Sequence, residues 1–411
     1  MRAIRILQRS LSPCLAPIHQ KRQQALFSVV EALLGGGRLV ASALGRSINT
    51  AVAAKHNIKK VDRLLGNHQL HAETTEIFGA IAKLMLRAER PRILIDWTEI
   101  GNHQVALAAC VPVEGRSVPI YVETHPTEKL SNPIVEMHFL RTLKKRIVPS
   151  NCKPVIVADA GFHGPFLSQV QNLGWDFVGR LGAGVLVSDD KRNVGHRGSW
   201  VQARSLHARA TARPIALGAY TIARSNPYTA NLVVYKEKSK GRKGSRSVNR
   251  KGVHPSSTSY RKYQRRGKEP WLLTTSLDHA SAREVVNCYR NRMTIEETFR
   301  DTKSHRFGWS FEDAASKDLA RLRVLLLIGA LAMLLTVLIG VAAEEQDLHG
   351  FYQANTIRNR RVLSFFTLGT YILKKRLAQE FLSHMGPDPF RLLAKNILCY
   401  RGSPNAATVV L

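Results

Sequence analysis

"RILIDWTEIGNHQVALAACVPVEGRSVPIYVETH", residues 92–125, holds three apolar, β-rich runs separated by short polar turns. The runs cover 92–100, 104–113 and 116–125, a spacing that predicts a three-strand antiparallel meander. The first run carries an acid, Asp96, in "ILIDW". A lone aspartate near the end of a strand is most often a turn cap. Whether Asp96 is more depends on acids further along the chain that could meet it.

A helical stretch, "NPIVEMHFLRTLKKRIV" (132–148), comes next. "KPVIVADAGF" (153–162) then reads as a buried strand ending at Asp159, followed by a helix (165–174) and a strand, "DFVGRL" (176–181). Three antiparallel strands, a helix, then another strand and helix is the order of the ribonuclease H-like fold, an α/β architecture. In that order the first and fourth strands lie side by side, which would bring Asp96 and Asp159 together. Glu99 and Trp97 point to the opposite face from Asp96, because successive side chains on a strand alternate. Glu99 reads as a bystander and Trp97 as a core residue.

The third acid comes from "NCYRNRMTIEETFRDTK" (287–303), which reads as one uninterrupted helix. Tyr289, Arg292 and Lys303 then fall within about 40° of Glu296 around the helix axis. Taken by itself this is a solvated face with an i,i+4 pair. Beside two strand-terminal aspartates it becomes something else. Hard divalent cations take oxygen ligands, and a pair of such ions serves phosphoryl transfer by activating the attacking oxygen and stabilising the leaving one. Asp96, Asp159 and Glu296 are therefore the predicted catalytic and metal-binding acids, with two Mg2+ ions as cofactor and Mn2+ as the alternative. Arg292 and Lys303 are placed to hold DNA phosphates, and Tyr289 offers a hydroxyl to a phosphate oxygen.

Composition names the partner. The 411 residues include 61 Lys and Arg against 30 Asp and Glu, a net charge of +31 with a pI near 10.5. A chain this basic suits a polyanion, since each neutralised phosphate releases counterions. The excess is spread along the chain, which favours nucleic acid over a membrane surface. The five cysteines show no CxxC or metal-type spacing, so a disulfide framework is not expected and a reducing compartment fits.

The chain divides into five regions: a helical N-terminal DNA-binding domain (1–85), the first part of the core (86–185), a β-rich insertion (186–276), the rest of the core (277–345) and a helical C-terminal region (346–411). Residues 1–24 contain no acid and several arginines and read as a basic arm rather than a transit peptide. Residues 39–67 read as helix-turn-helix-like, with Lys59, Lys60 and Arg63 exposed for DNA. In the insertion, residues 238–268 are Gly/Ser-rich with twelve Lys and Arg and no acid, and Arg242 and Lys243 are taken as DNA contacts. Arg358, in "NTIRNRRVL" (355–363), is another. "VLLLIGALAMLLTVLIGVAA" (324–343) is long enough to span a bilayer. It is the one such run, and its small residues suit tight packing on all sides, so a buried central helix is expected.

Y-x2-R-x3-E-x6-K, matched here by Tyr289, Arg292, Glu296 and Lys303, is the signature of the DDE transposases of the insertion-sequence-four family. The chain resembles that family also in "LGRSINT" (44–50), "KHNIKKVDRLLGN" (55–67), "DAGF" (159–162) and "QANTIRNRRVLS" (353–364). The resemblance implies a ribonuclease H-like core interrupted by a β-rich insertion, and cut-and-paste transposition: strand nicking, hairpin formation and opening, then strand transfer into target DNA. It implies double-stranded DNA as partner (inverted-repeat ends and target), a homodimer in the synaptic complex, no membrane, and a bacterial cytoplasm with the protein on the nucleoid. Members flip a base of the transposon end onto a tryptophan. The matching residue is Trp271, in "EPWLLTTS". A second aromatic that relatives carry after the signature arginine is Met293 here.

Overall fold

The meander forms at the predicted place. β1 (Arg92–Gly101), β2 (Gln104–Val113) and β3 (Arg116–Pro126) pair antiparallel, with Asp96 opposite Ala108 and Ala108 opposite Val122. β4 (Val155–Ala158) lies beside β1, in the order β3-β2-β1-β4. This is the neighbour relation expected of the ribonuclease H-like order. The computed structural model describes residues 2–101, 103–189, 199–237, 269–306, 308–354, 356–357, 359–375 and 388–400. The basic stretch 238–268, with Arg242 and Lys243, lies outside the described residues, and so does Arg358.

The other elements, in chain order, are helices for the most part. Before the meander come α1 (Arg2–Leu15), α2 (Gln20–Leu34), α3 (Ala41–Ser47), α4 (Ala54–Leu65) and α5 (His68–Met85). After it come α6 (Pro133–Thr142), α7 (Gly164–Asn172), α8 (Ala282–Arg290), α9 (Met293–Lys303) and α10 (Leu319–Glu344). The last are α11 (His349–Tyr352), α12 (Phe365–Lys374) and α13 (Pro389–Lys395). The described residues form two compact units. The first holds residues up to 157, then 173–175 and 291–400; the second holds 158–172 and the described part of 176–290.

In the first unit β1–β3 are covered on both faces. Paired residues on neighbouring strands share a face, so Trp97, Leu107 and Glu123 lie on one side and Asp96, Ala108 and Val122 on the other. On the Trp97 side, Phe78 of α5 and Phe139 of α6 each pack a ring against Tyr121, at 5.9 and 5.0 Å. On the Asp96 side α10 packs on β3, and its Leu326, Gly329 and Met333 line one small pocket together with Ala106, Ala108 and Val122. β2, covered on both faces, is buried at every position.

α10 is the apolar run, and it is a core helix: all of its residues from Val324 to Ala343 are buried except Leu326. It packs on α2, α4, α5 and β3, and most closely on α12. There Gly340 and Gly369 let two backbones touch. A Cβ at Gly340 would sit 2.0 Å from the Phe365 carbonyl oxygen, and one at Gly369 1.9 Å from that of Thr336.

Two expectations need correction. Residues 2–15 are not a basic arm but helix α1, whose Ala3, Ile4, Leu7, Leu11 and Leu15 are buried, with α1 packed on α5 and α2. The apolar residues recur every three to four positions, and that stripe outweighs the basic composition between them. The 287–303 segment is not one helix. The chain turns at Asn291–Arg292, where Thr294 N–H bonds to the Asn291 carbonyl (2.9 Å) and Ile295 N–H to that of Arg292 (3.1 Å), each three residues back. The Thr294 hydroxyl also donates to the Asn291 carbonyl at 2.7 Å, and the Asn291 side chain accepts from Arg92. Side-chain bonds to the local backbone compete in this way with a continuous helix.

The second unit contains β5 (Asp176–Arg180), β6 (Leu186–Ser188), β7 (Val201–Gln202), β8 (Ile215–Ile222), β9 (Tyr228–Tyr235) and β10 (Trp271–Thr275). Their order is β5-β10-β9-β8-β6-β7, with β10 antiparallel to both β5 and β9. β6 to β10 all lie within 186–276, the stretch read as β-rich.

Candidate active site

In the first unit, β1 and α9 bring together residues almost two hundred positions apart. Asp96 sits mid-strand on the face that α9 covers. Arg292, at the N-cap position of α9, places its guanidinium between two carboxylates. One of its amino groups lies 3.3 Å from Asp96 Oδ2, and the other donates to Glu296 Oε1 in the first turn. The Asp96 and Arg292 side chains are 14% and 13% exposed, whereas Glu296 is 43% exposed. The pair is thus open on the Glu296 side.

Lys303 ends α9 on the same face. Its ammonium donates to the Thr98 hydroxyl (2.9 Å) and the Glu99 carbonyl (3.1 Å). Burial holds its pKa below the ordinary lysine value, against the pull of Glu312, Glu99 and Asp96. Glu99 is therefore tied to Lys303 through its backbone carbonyl.

α9 is locked to β3 by contacts that the spacing of the charged residues does not reveal. The Thr298 hydroxyl accepts from Ser117 N–H and lies 2.9 Å from the Ser117 carbonyl, with both residues fully buried. One turn on, Asp301 is ion-paired to Arg116. The signal was present in the sequence as Thr294, Thr298 and Thr302, a hydroxyl stripe at four-residue spacing on one side of the helix. On the far face of β1, Trp97 is half-buried rather than core. Its indole N–H donates to the buried Glu136 (2.9 Å), and its ring meets that of His125 edge to face at 5.7 Å.

The remaining predicted residues fall elsewhere. Asp159 follows β4 directly and belongs to the second unit; its Oδ1 accepts from Gly161 N–H at 2.7 Å, closing a tight turn. Tyr289 lies on α8, also in the second unit, so the single-face geometry holds for Arg292, Glu296 and Lys303 only. Tyr289 is buried, and its ring packs edge to face on Trp271 at 5.1 Å. Trp271 meets Tyr235 on another side at 5.6 Å, and Arg290 covers Tyr235 while donating to its hydroxyl (2.6 Å). Trp271 is half-buried, held by two aromatic rings. Lys59, Lys60 and Arg63 are exposed along α4, as expected. α4 crosses α3 closely enough that a Cβ at Gly45 would lie 2.5 Å from Ile58 Cα.

Among the described residues no group of three or more His, Cys, Asp or Glu side chains is gathered to hold a metal ion. Two are gathered. Asp96 and Glu296 offer hard oxygen donors on either side of one guanidinium, which is the donor chemistry of a divalent cation such as Mg2+.

The family model described as the transposase DDE domain matches residues 87–335. That match runs from just before β1 through α9 and into α10, and covers more than half of the chain. No curated protein matches the chain.

Proposed function

The chain belongs to the DDE transposases, and from that premise we propose that it moves an insertion sequence by cut and paste, with Asp96, Asp159 and Glu296 as the catalytic acids. The observation that carries this reading is the pairing of Asp96 and Glu296 through Arg292. Members of the family use divalent metal ions. Two Mg2+ ions, when bound, would supply an activated attacking oxygen and charge stabilisation at the leaving 3′ oxygen. Asp96 and Glu296 would hold them, with Asp159 as the third acid on the strength of its place at the end of β4, the strand beside β1.

The chain's own residues do the rest. Arg292 sets the two carboxylates in register and carries positive charge to a scissile phosphate. Lys303, fixed on the β1 backbone, adds a second cation on the same helical face. Tyr289 is assigned to the DNA backbone by the signature; its packed ring also buttresses Trp271. Trp271 is the platform for a flipped base at the transposon end, which hairpin formation requires. Lys59, Lys60 and Arg63 on α4 contact the inverted-repeat ends, and Arg242, Lys243 and Arg358 are further DNA contacts. The active form is a homodimer that holds two ends in a synaptic complex. Within the family we place the chain among the insertion-sequence-four members, on motifs that closely resemble those of the transposase of the composite tetracycline-resistance transposon.

The test is incubation of the purified protein with Mg2+ and linear DNA carrying the element's own ends, with nicks and hairpins scored on denaturing gels. Glu296→Ala is expected to abolish both products while end binding survives. Cleavage that persists in this variant would overturn the site assignment.

A further inference from the structure

Beyond the end of α9 the chain makes a turn with no slack. Gly308 N–H bonds to the Ser304 carbonyl (3.0 Å) and Trp309 N–H to that of Asp301 (2.9 Å). A Cβ at Gly308 would sit 1.8 Å from the Asp301 carbonyl oxygen, so only glycine fits. The Trp309 carbonyl in turn accepts from Leu39 N–H at 2.7 Å, which ties the turn to the segment after α2. Trp309 is therefore held rigidly at both its backbone groups.

Beside it, within the first unit, opens a cavity of about 980 Å³. Its size is at the upper end of ligand-binding clefts, roughly 300–1,000 Å³. Trp309 and Phe366, edge to face at 5.4 Å, give it an aromatic wall. Lys60, Arg306 and Lys374 line it, against a single carboxylate, Glu31. Lys60 donates to the Ser28 hydroxyl (3.2 Å), and neither Lys60 nor Lys374 meets a carboxylate among the described residues. An inorganic anion would leave the aromatic wall without use, and an apolar ligand would leave the cations so. A nucleotide uses both, its base against the ring and its phosphate on the ammonium groups.

We infer that this cavity takes an unpaired segment of a DNA strand, one base stacking on Trp309 and the neighbouring phosphates lying on Lys60, Arg306 and Lys374. The inference rests on reading the chain as a DNA-processing enzyme. It shares only Lys60 with the residues assigned above, and Trp271, the proposed platform for the flipped base, belongs to the other unit.

The full chain would be titrated with a short fluorescent oligothymidylate and, separately, with a blunt duplex. Trp309→Ala is expected to weaken oligothymidylate binding about tenfold, the worth of one stacked base, and to leave duplex affinity unchanged. Trp309→Phe, which keeps a ring against Phe366, retains most of the affinity. Lys374→Gln, an exposed change with no packing cost, is expected to lower the log–log salt slope by about 0.7, one phosphate contact on a single strand. Irradiation of an iodouracil-substituted oligomer should crosslink to the peptide that contains Trp309. Equal oligothymidylate affinity and an unchanged salt slope in the Trp309→Ala and Lys374→Gln variants, or crosslinks confined to other peptides, would overturn the inference. Duplex binding with no oligothymidylate binding would overturn it alone. Failure of the unmutated protein to bind either DNA would overturn the DNA-processing reading as well.

Discussion

Glu123 shows how a single carboxylate is tuned on the far face of β1–β3. Burial alone would raise its pKa, but hydrogen bonding to His125 and Tyr121, with the charge of Arg323, outweighs burial and holds it below the ordinary glutamate value. Tyr121 donates to Oε1 at 2.6 Å, and His125 Nε2 lies 3.1 Å from Oε2. Folding thus favours the ionised form. The stability it contributes is fully present above the unfolded glutamate pKa and is lost as pH falls through the folded one. Glu123→Gln is expected to lose about 1–3 kcal/mol at neutral pH, and its deficit should shrink as pH falls below the glutamate range. Urea unfolding of both proteins across that range checks this; a pH-independent difference would contradict it. At this scale the sequence was legible where chemistry repeats at fixed spacing, as in Arg292, Glu296 and Lys303. The hydroxyl stripe of Thr294, Thr298 and Thr302 marked a bonding face of the helix but not its partner, because a hydrogen bond to Ser117 across 181 residues leaves no local trace of where it ends.

Elements were legible by their apolar runs. The meander shows as three short β-rich runs separated by polar turns and the buried helix 324–343 as twenty residues without a charge, and each is found where its run lies. The break between α8 and α9 was not legible, since every residue of 287–303 tolerates a helix and the turn is decided by Asn291 and Thr294 bonding locally. Nor does an isolated glycine in an apolar helix announce what touches it. Gly340 and Gly369 are such cases, for each accommodates a carbonyl oxygen of the facing helix inside the volume of a methyl group. Overpacking a well-filled contact costs about 1–3 kcal/mol, and here the obstacle is backbone, which gives least. Gly369→Ala is accordingly expected to destabilise the protein by at least about 1–3 kcal/mol. Thermal unfolding would show it; a melting temperature equal to that of the unmutated protein would mean that α10 and α12 can separate freely.

For the molecule as a whole, charge and connectivity matter most. A net charge of +31 makes DNA affinity a function of salt before it is a function of sequence. With about 6–10 phosphate contacts, affinity should fall roughly 10³- to 10⁵-fold between 50 and 200 mM salt. A nearly salt-independent titration would exclude backbone contacts as the main source of binding. Connectivity was the part least visible in the sequence. Element order predicted β4 beside β1, but nothing in it marked Val157 and Asn291 as the ends of the first unit's two long segments, with residues 173–175 returning to it between them.

The position of α10 in that path has a consequence for synthesis. Helices α2, α4 and α5 and strand β3 all bury apolar surface against α10, which ends only at Glu344. The N-terminal segment therefore leaves the ribosome without the partner that fills its interior. At roughly 5–20 residues per second, its apolar side chains wait on the order of ten seconds or more for that partner to emerge. During the wait a nascent chain already carrying many cations is tethered to its own messenger. A premature stop anywhere before α10 would release a fragment unable to close its core, a ready substrate for proteases.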